Sequence, residues 1–225
     1  MKFKWIRKCV SIFHGQLSRR TTEGRAESKE KMTSDLVFCT VCASNQNRSM
    51  EAHRLLKEAG FEVSSFGTGS AVRLPGPSVD KPVIYNFGTP YNDMYNELSS
   101  RDRKLYTSNG VLNMLDRNRQ IKDHPERWHE HHKLFDVIFT CEERCFDAVC
   151  IDLMTRGAKL NRMVHVINVD IKDNREQAAI GGKAILSLAS KLSTCRDVDS
   201  EIIAILADWQ DENKTLPVLH QVCYF

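Results

Sequence analysis

Leu36-Val37-Phe38-Cys39-Thr40-Val41 runs into Cys42-Ala43-Ser44-Asn45-Gln46-Asn47-Arg48-Ser49, and that into Met50-Glu51-Ala52-His53-Arg54-Leu55-Leu56-Lys57-Glu58-Ala59-Gly60. The first segment is a short, almost continuously apolar run rich in strand formers. The second is polar. The third places apolar residues at helical spacing and stops at a glycine, the usual helix terminator. The order is strand, short loop, helix.

A loop at that junction directs backbone N–H groups toward one point, at the positive end of the helix dipole. That point is an anion site suited to phosphate. A cysteine at its mouth is favoured as thiolate, the nucleophilic form. Cys42 occupies that place. Arg48 is six residues on and can return to grip phosphate oxygens in a bidentate fashion. The cradle then comprises Ala43, Ser44, Asn45, Gln46, Asn47, Arg48 and Ser49. Asparagine tolerates the left-handed backbone that a loop around an anion needs. Ser49 can donate to the thiolate. The spacing alone is weak evidence, since Cys150-Ile-Asp-Leu-Met-Thr-Arg156 shares it. That second match lies in a helical pattern with bulky intervening residues, and it reads as chance.

Working outward, strands and helices alternate. Phe61 to Phe66 alternates as a strand, and Gly67-Thr68-Gly69 breaks it. Leu74-Pro75-Gly76-Pro77 reads as a rigid loop. Residues 91–105 and 110–119 read as helices, 135–140 as a strand, 143–154 as a helix and 163–169 as a strand. Helices over 178–192 and 198–210 and a short strand over 217–225 complete the chain. This order predicts an α/β fold: a doubly wound, mostly parallel central sheet with helices on both faces. Such sheets bind ligands at the carboxyl ends of their strands, where Cys42 lies.

The 225 residues suffice for one domain with a substantial core. No run approaches the roughly 20 apolar residues of a membrane span. A net charge of +3 argues against direct nucleic-acid binding by the chain as a whole. Eight cysteines without a secretory signal read as reduced thiols. Residues 1–33 are basic and polar and read as a disordered extension ahead of a domain over 34–225. Glu23, Glu27 and Glu30 count against a mitochondrial presequence.

An alkoxide leaves poorly, so a phosphatase of an aliphatic phosphate needs a general acid to protonate it. Asp170-Ile171-Lys172-Asp173-Asn174 follows the strand 163–169 at the same sheet edge, and two nearby carboxylates can keep one proton between them. Asp173 is the candidate acid, with Asp170 as its support, although Asp173 would also serve as a helix N-cap. Glu142-Glu143 is the rival pair and reads more simply as a complement to a helix dipole. Cys39 could form a disulfide with Cys42, but a strand cysteine is more often core. His129-Glu130-His131-His132 lacks a metal-ligand pattern and reads as solvated surface.

From about Asp35 to Phe225 the chain resembles the RNA polymerase II C-terminal-domain phosphatases, relatives of the low-molecular-weight tyrosine phosphatases that work beside the scaffold protein symplekin. The stretches that carry the resemblance are Cys42 to His53, Ser65 to Gly69, Leu74 to Pro77, Asp80 to Pro82, Met114 to Asn118, Pro125 to Arg127, Thr140 to Arg144, His165 to Asn174 and Leu219 to Phe225. The resemblance implies a low-molecular-weight tyrosine phosphatase-like fold. It implies removal of phosphate from serine in the Tyr-Ser-Pro-Thr-Ser-Pro-Ser heptad, chiefly at the fifth place with the serine–proline bond cis. It implies no cofactor and no metal. Cys42 matches the nucleophile, Arg48 the phosphate clamp and Asp173 the general acid. Leu74, Pro75, Tyr106 and Met114 would line the substrate groove.

The implied partners are the phosphorylated polymerase tail, symplekin and the cleavage and polyadenylation machinery, with no membrane and a nuclear location. Three departures stand out. The extension before residue 34 is outside the usual pattern, the Asp-Pro-Tyr of the tyrosine phosphatases is missing at the acid, and 154–162 is diverged. Two rivals remain. One is an arsenate reductase, which uses a similar loop with resolving cysteines. The other is a catalytically weak scaffold of the 3′-end machinery.

Overall fold

A computed structural model describes residues 36–78 and 80–225. The reading of residues 1–33 lies outside them. The strand from Leu36 becomes β1 (Val37–Cys42), followed by α1 (Arg48–Glu58) and β2 (Glu62–Gly67). Three further strands build the sheet: β5 (Val137–Thr140), β6 (Met163–Val169) and β7 (Val218–Tyr224). Their spatial order is β2-β1-β5-β6-β7. All neighbours are parallel except β6 and β7, which pair antiparallel over seven residues from Met163↔Tyr224 to Val169↔Val218.

Strand alternation sends successive side chains to opposite faces. Phe38 and Cys42 join Val137, Phe139 and Ile167 beneath α1, α5 (Arg175–Thr194) and α6 (Val198–Glu212). Cys39, Val41, Ile138, Val164 and Val166 face the other way, toward α4 (Glu143–Arg156) and Trp128. Both faces are therefore covered, as parallel sheets require, and the central strands read as unbroken apolar runs for that reason. Cys39 and Cys42 lie three apart on one strand and so point to opposite faces. A disulfide between them is geometrically closed.

A third apolar cluster lies against α1 through Met50. It holds α2 (Tyr91–Ser108), α3 (Val111–Ile121) and a small antiparallel pair, β3 (Val72–Leu74) with β4 (Val83–Tyr85). Leu74 to Pro77 reads by sequence as a rigid loop, but Leu74 ends β3 and pairs with Val83. Strands of three residues are too short to show alternation, so sequence pattern does not reveal them.

Two other expectations change. The helix after β6 starts at Arg175, three residues early, and its cap is Asn174, whose Oδ1 accepts from Gln177 N–H at 2.9 Å. Asp173 is thereby free of the capping role. The stretch 129–132 is not uniformly solvated: His131 is buried, its ring stacked on Phe66 at 4.3 Å and edge-on to Trp128. No trio of metal-ligating side chains occurs among the described residues.

His53 is likewise buried and hydrogen-bonded to Ser65 at 2.8 Å. Burial, reinforced by Lys122, Lys57 and Lys133, pushes the His53 pKa down to about 3. Burial, with Arg156 next, does the same at His131, also to about 3. Below the ordinary histidine value of 6.5 the unfolded chain takes up these protons and the folded one does not. Stability therefore falls as pH drops through that window, by roughly 1.4 kcal/mol per pH unit for each ring. Between about pH 6 and pH 4.5 the two histidines remove roughly 3–4 kcal/mol. Urea midpoints measured across that range should fall steadily. A midpoint that stays flat would contradict the neutral, buried assignment of both rings.

Candidate functional site

The chain leaves β1 toward β2 on one side and leaves β5 toward β6 on the other. The crevice between β1 and β5 is thus the switch point of the sheet, where doubly wound folds bind ligands. Cys42 ends β1 at this crevice. Cys141-Glu142 follow β5, and Asp170 to Asn174 follow β6 along the same edge.

From Cys42 the backbone folds into a cup, with Asn45 in the left-handed region at φ 50°. The glycine that ends β2, Gly67, and Gly69 beyond it permit a close approach here. Gly69 N–H donates to the Ala43 carbonyl at 2.8 Å, and a Cβ at Gly67 or Gly69 would meet that carbonyl oxygen at 2.8 Å. Among the described residues, no backbone N–H from Ala43 to Met50 donates to a protein acceptor. Asn47, at the N-cap position of α1, makes no cap bond; its amide instead donates to Asp173 Oδ1 at 2.9 Å. Buried N–H groups are almost always paired, so a run of free ones facing a crevice is a receptor for an anion.

Cys42 is buried, and its Sγ lies 3.0 Å from Ser49 Oγ. Asn45 Nδ2 donates to the same hydroxyl at 3.2 Å, which leaves the hydroxyl proton for the sulfur. Thr40 Oγ1 donates to the Ser49 carbonyl at 2.9 Å and fixes the turn.

Arg48 crosses the floor of the crevice. Its Nη1 donates to the carbonyls of Cys141 (3.2 Å) and Ile171 (2.9 Å). Its Nη2 meets Glu142 Oε1 at 3.1 Å and Asp173 Oδ2 at 3.4 Å, while Nε is buried without a partner. Burial works against the guanidinium charge, but Cys42, Asp173, Cys141 and Glu142 outweigh it and hold its pKa above the ordinary arginine value. The arginine stays charged, with one buried donor unused.

The structure brings together Cys42, the loop, Arg48 and Asp173. It does not bring in Asp170, whose side chain is exposed and has no hydrogen bond or ion pair to Asp173 among the described contacts. The buried Ile171 between them anchors the segment, through its carbonyl, to Arg48. A groove of about 960 Å³ opens beside the loop, lined by Leu74, Pro75, Met114, Arg117, Gln46 and Asp173 among others. Tyr106 is not among its lining residues. It is buried in the third apolar cluster, on the inward face of α2.

Glu142 is the residue that sequence reasoning underrated. Burial tends to raise its pKa, but the Arg48 charge, with Arg144 and Cys145, more than offsets this and holds it below the usual glutamate value. A carboxylate kept ionised beside Arg48 is a counter-charge and not a proton donor. Tyr91, Arg117 and Asn118 were missed as well; all three bond to loop carbonyls.

The sequence profile described as "Ssu72-like protein" matches residues 36–225. The chain is 60% identical over 198 residues to the RNA polymerase II C-terminal domain phosphatase SSU72 of Candida glabrata, covering 84% of this chain and 97% of the relative. It is 57% identical over 192 residues to the protein of that description from Schizosaccharomyces pombe, covering 85% and 98%. A crystal structure of Drosophila melanogaster Ssu72 with Symplekin, bound to a cis peptidomimetic of the C-terminal domain phosphorylated at the fifth-place serine, superposes with a TM-score of 0.81 at 42% identity. It covers 84% of this chain and 98% of that one.

Proposed function

Because this chain belongs to the Ssu72 family, we propose that it is a cysteine-dependent phosphatase of phosphoserine in the heptad repeats of the RNA polymerase II C-terminal domain. The preferred site is the fifth-place serine, with its bond to the following proline cis. The observation that supports this most directly is the run of undonated N–H groups from Ala43 to Met50 around Cys42 and Arg48.

Cys42 Sγ attacks phosphorus in line, and the serine–phosphate bond breaks as the sulfur–phosphorus bond forms. The charge on the equatorial oxygens is spread over the loop N–H groups and Arg48, whose Nε is unused. Asp173 gives its proton to the leaving serine oxygen. It then takes one from the water that cleaves the phosphocysteine, which restores the thiolate. Its contact with Arg48 Nη2 is the longer of the arginine's two ion pairs, and its side chain is more than half exposed. An arriving phosphate can therefore replace it on the guanidinium, while Asn47 Nδ2 keeps it beside the loop at 2.9 Å. Leu74, Pro75 and Met114 line the groove that takes the flanking peptide. Vanadate, which mimics the trigonal-bipyramidal transition state, should inhibit, and EDTA should not, since no step of this scheme uses a metal. The reading carries with it symplekin and the cleavage and polyadenylation machinery as partners, and a nuclear location.

The testing experiment is phosphate release from a heptad peptide phosphorylated at the fifth-place serine. Absence of release by the folded protein, with symplekin added, would refute the reading. Asp173→Asn tests the acid through kcat/KM, which covers only the steps up to phosphocysteine formation: on the phosphoserine peptide it should drop roughly 100- to 10,000-fold. An aryl phosphate, whose leaving group departs without a proton, should be far less affected. Equal losses on both substrates would remove Asp173 from the proton-donor role.

A further inference from the structure

In a trans peptide the carbonyl of one residue and the N–H of the next point in opposite directions. What holds the carbonyls of the phosphate loop therefore decides where its N–H groups aim. The first two are held by the backbone after β2: Thr68 N–H donates to the Cys42 carbonyl at 3.0 Å and Gly69 N–H to that of Ala43. Those of Asn45 and Gln46 are held by side chains of α2 and α3, and that of Asn47 by the Glu51 N–H of α1 at 3.0 Å. The Tyr91 hydroxyl donates to the Asn45 carbonyl. The Gln46 carbonyl takes two donors, Arg117 Nη2 at 2.7 Å and Asn118 Nδ2 at 2.8 Å. Arg117 Nη2 also reaches the Asn47 carbonyl at 3.3 Å.

These donors are themselves fixed. Arg117 Nη1 pairs with Glu51 Oε2 on α1 at 2.9 Å. Its Nε and Nη2 donate to Asn118 Oδ1 at 3.0 and 2.9 Å, which leaves the Asn118 amide nitrogen for Gln46. Asn118 is fully buried. The Gln46–Asn47 peptide is thus doubly pinned with its carbonyl away from Cys42. Reversed, that peptide would turn a carbonyl oxygen toward the thiolate and the phosphate.

We propose that Arg117 and Asn118 are positioning residues of the phosphatase reaction: they hold the Gln46 carbonyl outward, so that the Asn47 N–H faces the transferring phosphoryl group. The role rests on the loop being the phosphate cradle. Preorganised donors of this kind stabilise charge that develops in the transition state, so their loss should show in kcat and in binding of a transition-state mimic more than in KM.

Asn118→Asp is nearly isosteric. It keeps the acceptor for Arg117 and removes the donor to Gln46. Asn118 does not line the groove, whereas Arg117 does. In Asn118→Asp and in Arg117→Lys, kcat on the phosphoserine peptide should fall roughly 10- to 100-fold and the vanadate inhibition constant should rise by a similar factor, on the scale of removing one oriented donor. A third reading comes from alkylation of Cys42. The preference for anionic iodoacetate over neutral iodoacetamide should shrink in both variants.

Folded variants with wild-type kcat, vanadate inhibition and alkylation preference would overturn the proposal. A rise in KM alone for Arg117→Lys would make that residue a groove contact and overturn its positioning role. Should Asn118→Asp fail to fold, the vanadate constant of Arg117→Lys decides by itself. A wild type that neither releases phosphate nor responds to vanadate would instead sink the phosphatase reading, and this role with it.

Discussion

Exchanging Cys42 for serine abolishes turnover, with kcat down by about 10,000-fold or more, the scale on which loss of a nucleophile is felt. Serine replaces sulfur by oxygen in a buried position of almost the same shape, so the fold should survive. The hydroxyl is far less acidic than a thiol and a poorer nucleophile. No neighbour can substitute. Burial pushes the thiols of Cys39, Cys141 and Cys145 well up, so each stays protonated. The loop N–H groups and Arg48 are unchanged, so the variant should still bind the phosphopeptide with near wild-type affinity. Acid-quenched reactions with labelled phosphopeptide should trap a phosphoenzyme in the wild type and none in the variant. Turnover above about one part in a hundred would mean that another nucleophile carries the reaction.

Arg48→Lys should cost about 1,000-fold in kcat/KM, comparable to removal of a guanidinium from a phosphoryl-transfer site. The exchange looks conservative and is not. Arg48 uses Nη1 on two carbonyls and Nη2 on two carboxylates, with Nε unused. An ammonium has three donors and no planar fork. It cannot hold the Cys141 and Ile171 carbonyls and the Glu142 carboxylate and still offer an in-plane pair to phosphate. Unpaired buried groups should also lower stability by about 1–3 kcal/mol. Steady-state kinetics together with urea denaturation separate the two effects. A variant that keeps a tenth of wild-type kcat/KM would show that the clamp works as a point charge only.

The framework was legible where the physics is local. The strand–loop–helix around Cys42, the strands β5 and β6 and the helices behind them all follow from spacing and from residues that stop helices. The loop's composition also told true: Asn45 takes the left-handed backbone that its residue type allows. What stayed hidden depends on pairings far apart in the chain. Arg48 meets Glu142 and Asp173 across 94 and 125 positions, and no local pattern marks such a meeting. Glu142 reads as a dipole complement because its own neighbourhood in the sequence does not show what lies opposite it. Tyr106 was assigned to the groove through the resemblance, but its place on α2 turns it into the third apolar cluster. Arg117 and Asn118 sat within a stretch that carried the resemblance and had no assigned role, since their partners are backbone carbonyls.

The third apolar cluster has a thermal consequence. Tyr91 and α3 pack there, joined to the rest of the fold through Met50 of α1. Regions with their own cores tend to open as separate cooperative units, below the threshold for global unfolding. Warming should then disarm the molecule while its five-stranded sheet is still folded. Amide protons of α2 and α3 should exchange with deuterium sooner than those of β1 and β5.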